Sequence, residues 1–139
     1  MKQAVVDTNV LIAFLGRDGS SVAAALRTYD RLIVPAAVDA EFRAGLDPDT
    51  RAGREGAALL DAFLSDPSVA FAPADRAESS KYAQLYRHLK RRGTPMPLHD
   101  LWIAAAALVR DIPLCTFDRH FSLIPLLRLA DMVGKGTVF

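Results

Sequence analysis

Short apolar runs along this chain alternate with longer stretches in which apolar side chains recur every three or four residues. Ala4-Val5-Val6, Leu32-Ile33-Val34 closed by Pro35, Val69-Ala70-Phe71 closed by Pro73, and Leu114-Cys115-Thr116 opened by Pro113 each predict a short strand. A last strand is expected near Leu127 to Leu129 or at the C-terminus. Helical spacing links Val22, Leu26 and Tyr29, then Val38, Phe42 and Leu46, then Leu59, Leu60, Phe63 and Leu64. It returns in Tyr82, Leu85, Tyr86 and Leu89, behind Asp75 as N-cap with Glu78 three residues on. Leu101 to Val109 is apolar almost all round, so its helix is expected at the centre of the molecule. The glycine-, aspartate- and arginine-rich stretch from Gly45 to Gly56 predicts a mobile loop or a helix start. Strands alternating with helices argue for an α/β fold: a mainly parallel sheet with helices on both faces. Strands that are apolar throughout, rather than at every second position, agree with a sheet covered on both sides.

At 139 residues the chain has the length of one ordinary domain with a real core, and no repeat or low-complexity tract divides residues 1–139. Its 51% apolar and 24% charged residues are those of a soluble globular protein, which excludes a disordered one. The net charge of +1 exerts no global pull on a polyanion, so any nucleic-acid contact must be local. Leu101 to Val109, the longest apolar run, falls far short of the roughly 20 residues that span a bilayer, so no membrane role is expected. The opening MKQAVVDTNV has no long apolar core of a signal peptide. Cys115 is the single cysteine and cannot form an internal disulfide, which fits a reducing cytoplasm and a buried, inert side chain.

Four acids interrupt this pattern. Asp7 in VVDTNVLI, Glu41 in AVDAEF, Asp100 in PLHDLWIAAAALV and Asp118 in PLCTFDRHF each sit against an apolar stretch. A carboxylate there is costly unless something compensates it. Each has a local explanation. Asp7-Thr8-Asn9 would cap a first helix, Asp100 would favour the positive end of its helix, Asp118 would start a turn, and Glu41 would be a solvated helix residue. Those explanations do not account for the placement of the acids together. Asp7 and Asp118 follow predicted strands, Asp100 opens the buried helix, and Glu41 lies on the helix after the second strand. In open α/β sheets ligands bind beyond the carboxyl ends of the strands. Carboxylates gathered there repel one another, and a hard divalent cation resolves the repulsion. Such an ion orients a phosphodiester and lowers the pKa of an attacking water, which makes a metal-dependent hydrolase the leading expectation.

Val6-Asp7-Thr8-Asn9-Val10-Leu11-Ile12, Glu41, His99-Asp100-Leu101-Trp102-Ile103-Ala104-Ala105 and Thr116-Phe117-Asp118-Arg119-His120-Phe121 together resemble the four motifs of the PIN domain. Length and motif order are similar to the VapC toxins of bacterial toxin–antitoxin pairs, and the resemblance covers nearly the whole chain. It implies a three-layer α/β/α sandwich and a Mg²⁺- or Mn²⁺-dependent endoribonuclease. It implies metal ligation by Asp7 and Asp100, with Asp118 and Glu41 completing the acidic pocket directly or through water, and Asn9 and Thr116 in support. It also implies an RNA substrate, a homodimer and a cognate antitoxin that blocks the groove. The chain departs from the pattern at His120, where some members carry a further acid; the number of metal ions stays open.

Other features carry weaker expectations. His99 and His120 flank proposed acidic ligands and read as supporting or substrate-contacting groups, while His88 reads as a surface helix residue; no HExxH or paired-cysteine motif favours zinc. Gly134 and Gly136 faintly resemble a phosphate loop and read as a terminal turn. Arg87, Lys90, Arg91 and Arg92 are the densest basic run: either a solvated helix end or an RNA-backbone contact. Arg43, Arg51, Arg54 and Arg119 are further RNA-contact candidates. Trp102 and Tyr86 read as core residues, which leaves no stacking platform for bases. The rival to catalysis is an inactive PIN-like interaction module whose acidic pocket takes an Arg or Lys of a basic partner segment.

Overall fold

The computed structural model describes residues 1–16 and 19–132. Four parallel strands form its sheet: β1 (Gln3–Val6), β2 (Arg31–Pro35), β3 (Val69–Ala72) and β4 (Leu114–Cys115), in the order β3-β2-β1-β4. All four coincide with apolar runs read from the sequence. Ala4, Val5 and Val6 of β1 and Val34 of β2 are fully buried, as the unbroken apolar strands require of a sheet covered on both faces. The expected last strand is reduced to one parallel bridge, Leu129 to Leu114, held by Leu114 N–H on the Arg128 carbonyl and Ala130 N–H on the Leu114 carbonyl, 2.9 Å each. Its alternative placement at the C-terminus, and the turn at Gly134 and Gly136, lie outside the described residues.

The helices among the described residues are α1 (Thr8–Leu15), α2 (Gly19–Leu26), α3 (Ala36–Ala44), α4 (Arg51–Leu64), α5 (Arg76–Arg91) and α6 (Leu98–Arg110), with a 3₁₀ turn at Arg119–Leu123. They flank the sheet as an α/β/α sandwich. Asp75 caps α5 as expected, its carboxylate accepting the Glu78 N–H at 2.9 Å. The stretch from Gly45 to Gly56 is a helix start: Thr50 Oγ1 accepts the Gly53 N–H at 3.0 Å and α4 begins at Arg51. Two apolar positions of the expected stripes, Tyr29 and Leu46, fall beyond the ends of α2 and α3. Between α5 and α6 the chain reverses at Gly93, whose φ of +72° suits a residue without Cβ.

α6 is the central helix. Leu101 and Ile103 to Ala107 are buried between β1, α3 and α5. Arg110 at its end ion-pairs with the buried Glu78 of α5, so the two helices are locked by charge as well as by packing. The strand order decides where chemistry can sit. The first two crossovers step from β1 to β2 to β3, and the third returns past both to place β4 on the other side of β1. The switch point therefore lies between β1 and β4, and the carboxyl ends of those two strands open the crevice.

Candidate functional site

Asp7 and Thr116 follow β1 and β4 immediately and meet across this switch point. The register pairs Val6 with Cys115, and the Asp7 N–H continues the ladder onto the Cys115 carbonyl at 2.9 Å. Asp7 is only 5% exposed. Its Oδ2 accepts the Thr116 hydroxyl at 2.6 Å and its Oδ1 accepts the Thr8 N–H at 2.8 Å, which caps α1. Burial pushes the Asp7 carboxyl above its ordinary range; the Thr116 and Thr8 hydrogen bonds pull it back, and the Glu41 and Asp118 charges push it up again.

Thr116 serves two acids at once. Its Oγ1 also accepts the Asp118 N–H at 3.0 Å, so one hydroxyl ties the Asp118 loop to Asp7. Asp118 caps the 3₁₀ turn: its Oδ1 accepts the His120 N–H at 2.9 Å and lies 2.8 Å from His120 Nδ1. Those contacts, the backbone one first, hold its carboxyl below the usual range, so Asp118 ionises more readily than Asp7 or Asp100. Asn9 accepts the Phe117 N–H at 3.3 Å and joins α1 to the same loop.

Asp100 stands in the first turn of α6, half-buried, with no hydrogen bond to its carboxylate among the described residues. Burial, followed by the charges of Asp7, Asp118 and Glu41, pushes it up to about 6, with His99 opposing. Glu41 is exposed on α3, yet it acts on both Asp7 and Asp100. The four acids named from the sequence thus stand within electrostatic reach of one another. They are not clenched: among the described residues no three His, Cys, Asp or Glu side chains are close enough to hold one ion as they stand. Bare carboxylates that raise one another's pKa are expected to stand apart. The donor set is all oxygen and anionic, which fits Mg²⁺ or Mn²⁺ and does not suit a soft metal. Just behind Asp7, Thr8 Oγ1 is buried without a hydrogen-bond partner among the described residues.

The model of the PIN domain matches residues 4–126, which include all four acids. The chain belongs to the PIN-domain family. It is 33% identical over 122 residues to ribonuclease VapC5 of Mycobacterium tuberculosis, an alignment covering 85% of this chain and 84% of that protein. The fold is similar to that in the crystal structure of DNA-bound VapBC from Salmonella typhimurium, with a TM-score of 0.82 at 23% identity, over 93% of this chain and 97% of that one. It is also similar to VapBC-5 of the VapBC toxin–antitoxin systems from M. tuberculosis, with a TM-score of 0.69 at 25% identity, over 94% and 98%.

Other candidate residues of this PIN domain fall into place unevenly. Arg43 is committed elsewhere: its guanidinium binds Asp39 within α3 at 3.1 Å and Asp61 of α4 at 2.7 Å, so it braces two helices. Arg51 pairs with Glu55 on its own helix and Arg54 reaches the Pro48 carbonyl. Arg87, Lys90, Arg91 and Arg92 stand exposed at the end of α5, and Arg119 is exposed on the 3₁₀ turn. His88 is half-buried, with its Nε2 enclosed and unpartnered among the described residues, in place of the surface position expected. Trp102 is half-buried, but Tyr86 is 43% exposed. Reading both aromatics as core therefore overlooked a surface. The i,i+4 spacing of Tyr82 and Tyr86 was its only signal in the sequence.

Proposed function

We propose that this PIN domain, acting as one unit over residues 1–139, is a Mg²⁺- or Mn²⁺-dependent endoribonuclease of the cytoplasm and the toxin of a toxin–antitoxin pair. The observation that carries the reading is the gathering of four carboxylates at the switch point, where Asp7 is tied to Thr116 across β1 and β4 and Asp100 is pushed up to about 6 by burial and by its three neighbours. Such an arrangement is costly without a cation and favourable with one. Homology to the VapC ribonucleases supports the reaction class, and the VapBC structures support an antitoxin partner; a homodimer is part of the same proposal.

Asp7, Asp100 and Asp118 would hold the ion, with Glu41 acting from the exposed side of the crevice. The bound ion would position a phosphodiester, stabilise the charge developing on it, and make a water acidic enough to attack at neutral pH. The chain supplies preorganisation. Thr116 and Thr8 hold both oxygens of Asp7, and His120 holds Asp118 Oδ1, so these two side chains are oriented before an ion draws the group together. Thr116 sets their relative placement through one hydroxyl.

The test is cleavage of single-stranded RNA by purified protein with Mg²⁺, with EDTA, and by Asp7→Asn and Asp100→Asn. Wild type should cut only with the ion, and both variants should fall to background while keeping the far-ultraviolet spectrum of a folded domain. Undiminished cutting by a variant in EDTA would overturn the reading.

A further inference from the structure

At the N-terminal end of α6, the helix that also carries Asp100, lies a feature that the reaction leaves unused. A pocket of about 250 Å³ is lined by Tyr86, Leu89, Lys90, Pro95, Met96 and Leu101. Its wall residue Leu101 directly follows Asp100 in α6. Tyr86 ends a graded stack: Trp102 on Tyr82 with centroids 4.6 Å apart, then Tyr82 on Tyr86 at 6.4 Å and 12°. The ammonium of Lys90 lies 5.8 Å from the Tyr86 ring centre. At the same end of α5, Arg87, Lys90, Arg91 and Arg92 are exposed, and none enters an ion pair among the described residues.

We propose that this pocket is a base subsite: it takes one unpaired nucleobase of the RNA whose backbone runs past Asp100. The inference rests on the nuclease reading for the presence of RNA and adds where a neighbouring nucleotide goes. Single-stranded nucleic acid is held by aromatic faces for the bases combined with Lys and Arg for the phosphates, and both are present together here. The pocket is smaller than the roughly 300–1,000 Å³ of sites for drug-sized ligands. Its walls are apolar, so a flat ring gains by stacking, while the exposed Tyr86 and Lys90 leave the polar edge of the base open to water. The base displaces the Lys90 ammonium from the Tyr86 face, and the ammonium moves to a phosphate. An apolar protein side chain would fill the same walls. It would leave the four cations without the anionic chain that RNA brings by its backbone.

The experiment measures binding in EDTA, so that it does not depend on cleavage. Labelled single-stranded RNAs carrying an abasic nucleotide at successive positions are titrated by fluorescence anisotropy. One abasic position should weaken wild-type binding by about fivefold or more, the scale of a lost base–aromatic stack. Tyr86→Ala should weaken intact RNA by a similar factor and no longer sense that abasic position, and Tyr86→Trp should restore both. Lys90→Met should weaken all the RNAs alike and reduce the salt slope by about 0.7. Unchanged affinity of a Tyr86→Ala protein that melts like wild type overturns the proposal, as does an abasic effect that persists in that variant. Metal-dependent cleavage with Tyr86-independent binding sinks the subsite alone. Tyr86-dependent binding by a protein that never cuts RNA sinks the nuclease reading alone.

Discussion

Asp7 and Asp100 are both carboxylates drawn out of water, and the difference between them lies in what receives the charge. Asp7 is almost fully enclosed, but a threonine hydroxyl and a backbone N–H offset much of that cost. Asp100 has no such partner among the described residues and reaches about 6. Its folded pKa thus lies above the ordinary value near 3.9. Between about pH 4 and pH 6 the native state holds the proton more firmly than the unfolded chain does. The stability that Asp100 contributes therefore falls as pH rises through that window and is level above it. Asp100→Asn removes the penalty. In EDTA at pH 7.5 the variant should be more stable than wild type by on the order of 1 kcal/mol, a two-unit shift discounted for the water that reaches this half-buried group. Urea unfolding should show the gain vanish at pH 4 and shrink or reverse in saturating Mg²⁺. A variant less stable than wild type at pH 7.5 in EDTA would mean that Asp100 serves chiefly to favour the helix N-terminus. Cys115 offers a simpler case: burial in β4 pushes its thiol up to about 12, and it behaves as the small hydrophobe its neighbours imply.

Among the elements, the legible ones are those specified by neighbours in sequence. Asp75 and Glu78 announce the start of α5 because a cap is a contact over three residues. The β1 and β4 runs announce themselves by composition alone. α4 was ambiguous because Gly53 and Gly56 weaken a helix by propensity, and the reason for a glycine is not local. A Cβ on Gly53 would lie 1.8 Å from the Asp47 carbonyl oxygen, so the preceding loop folds directly against the helix backbone. Propensity alone makes Gly53→Ala stabilising by about 1 kcal/mol. The close approach reverses the sign: the substitution should lower stability by about 1–3 kcal/mol, the usual range for overpacking, because backbone must move. Thermal melts of the two proteins decide between these outcomes. Arg43 is the converse. Its sequence context reads as a free cation on a helix, and only the packing of α3 against α4 brings Asp61 to it.

At the scale of the molecule, the strand order β3-β2-β1-β4 brings four acids distant in sequence to where their charges act on Asp7 and Asp100. Ion binding there acts on the native state alone and stabilises it by mass action. Mn²⁺ at a hundredfold excess over its Kd should add about 2.7 kcal/mol, a rise of several degrees in Tm for a chain of this size. Differential scanning calorimetry of wild type beside an Asp7→Asn, Asp100→Asn double variant tests this. The double variant should show no rise, and an equal rise in both would place the ion elsewhere. The chain by its own pattern determined the four strands, the central helix, the cap of α5 and the identity of the acids, since periodicity, capping and the cost of a charge beside apolar neighbours act over a few residues. The tertiary structure alone decided that Thr116 would bridge Asp7 to Asp118, that Arg43 would reach Asp61 of α4, and that Tyr86 would face water above a pocket. Those outcomes depend on which elements the crossovers set side by side, and hydrogen bonds and ring contacts between residues far apart in sequence leave no local trace.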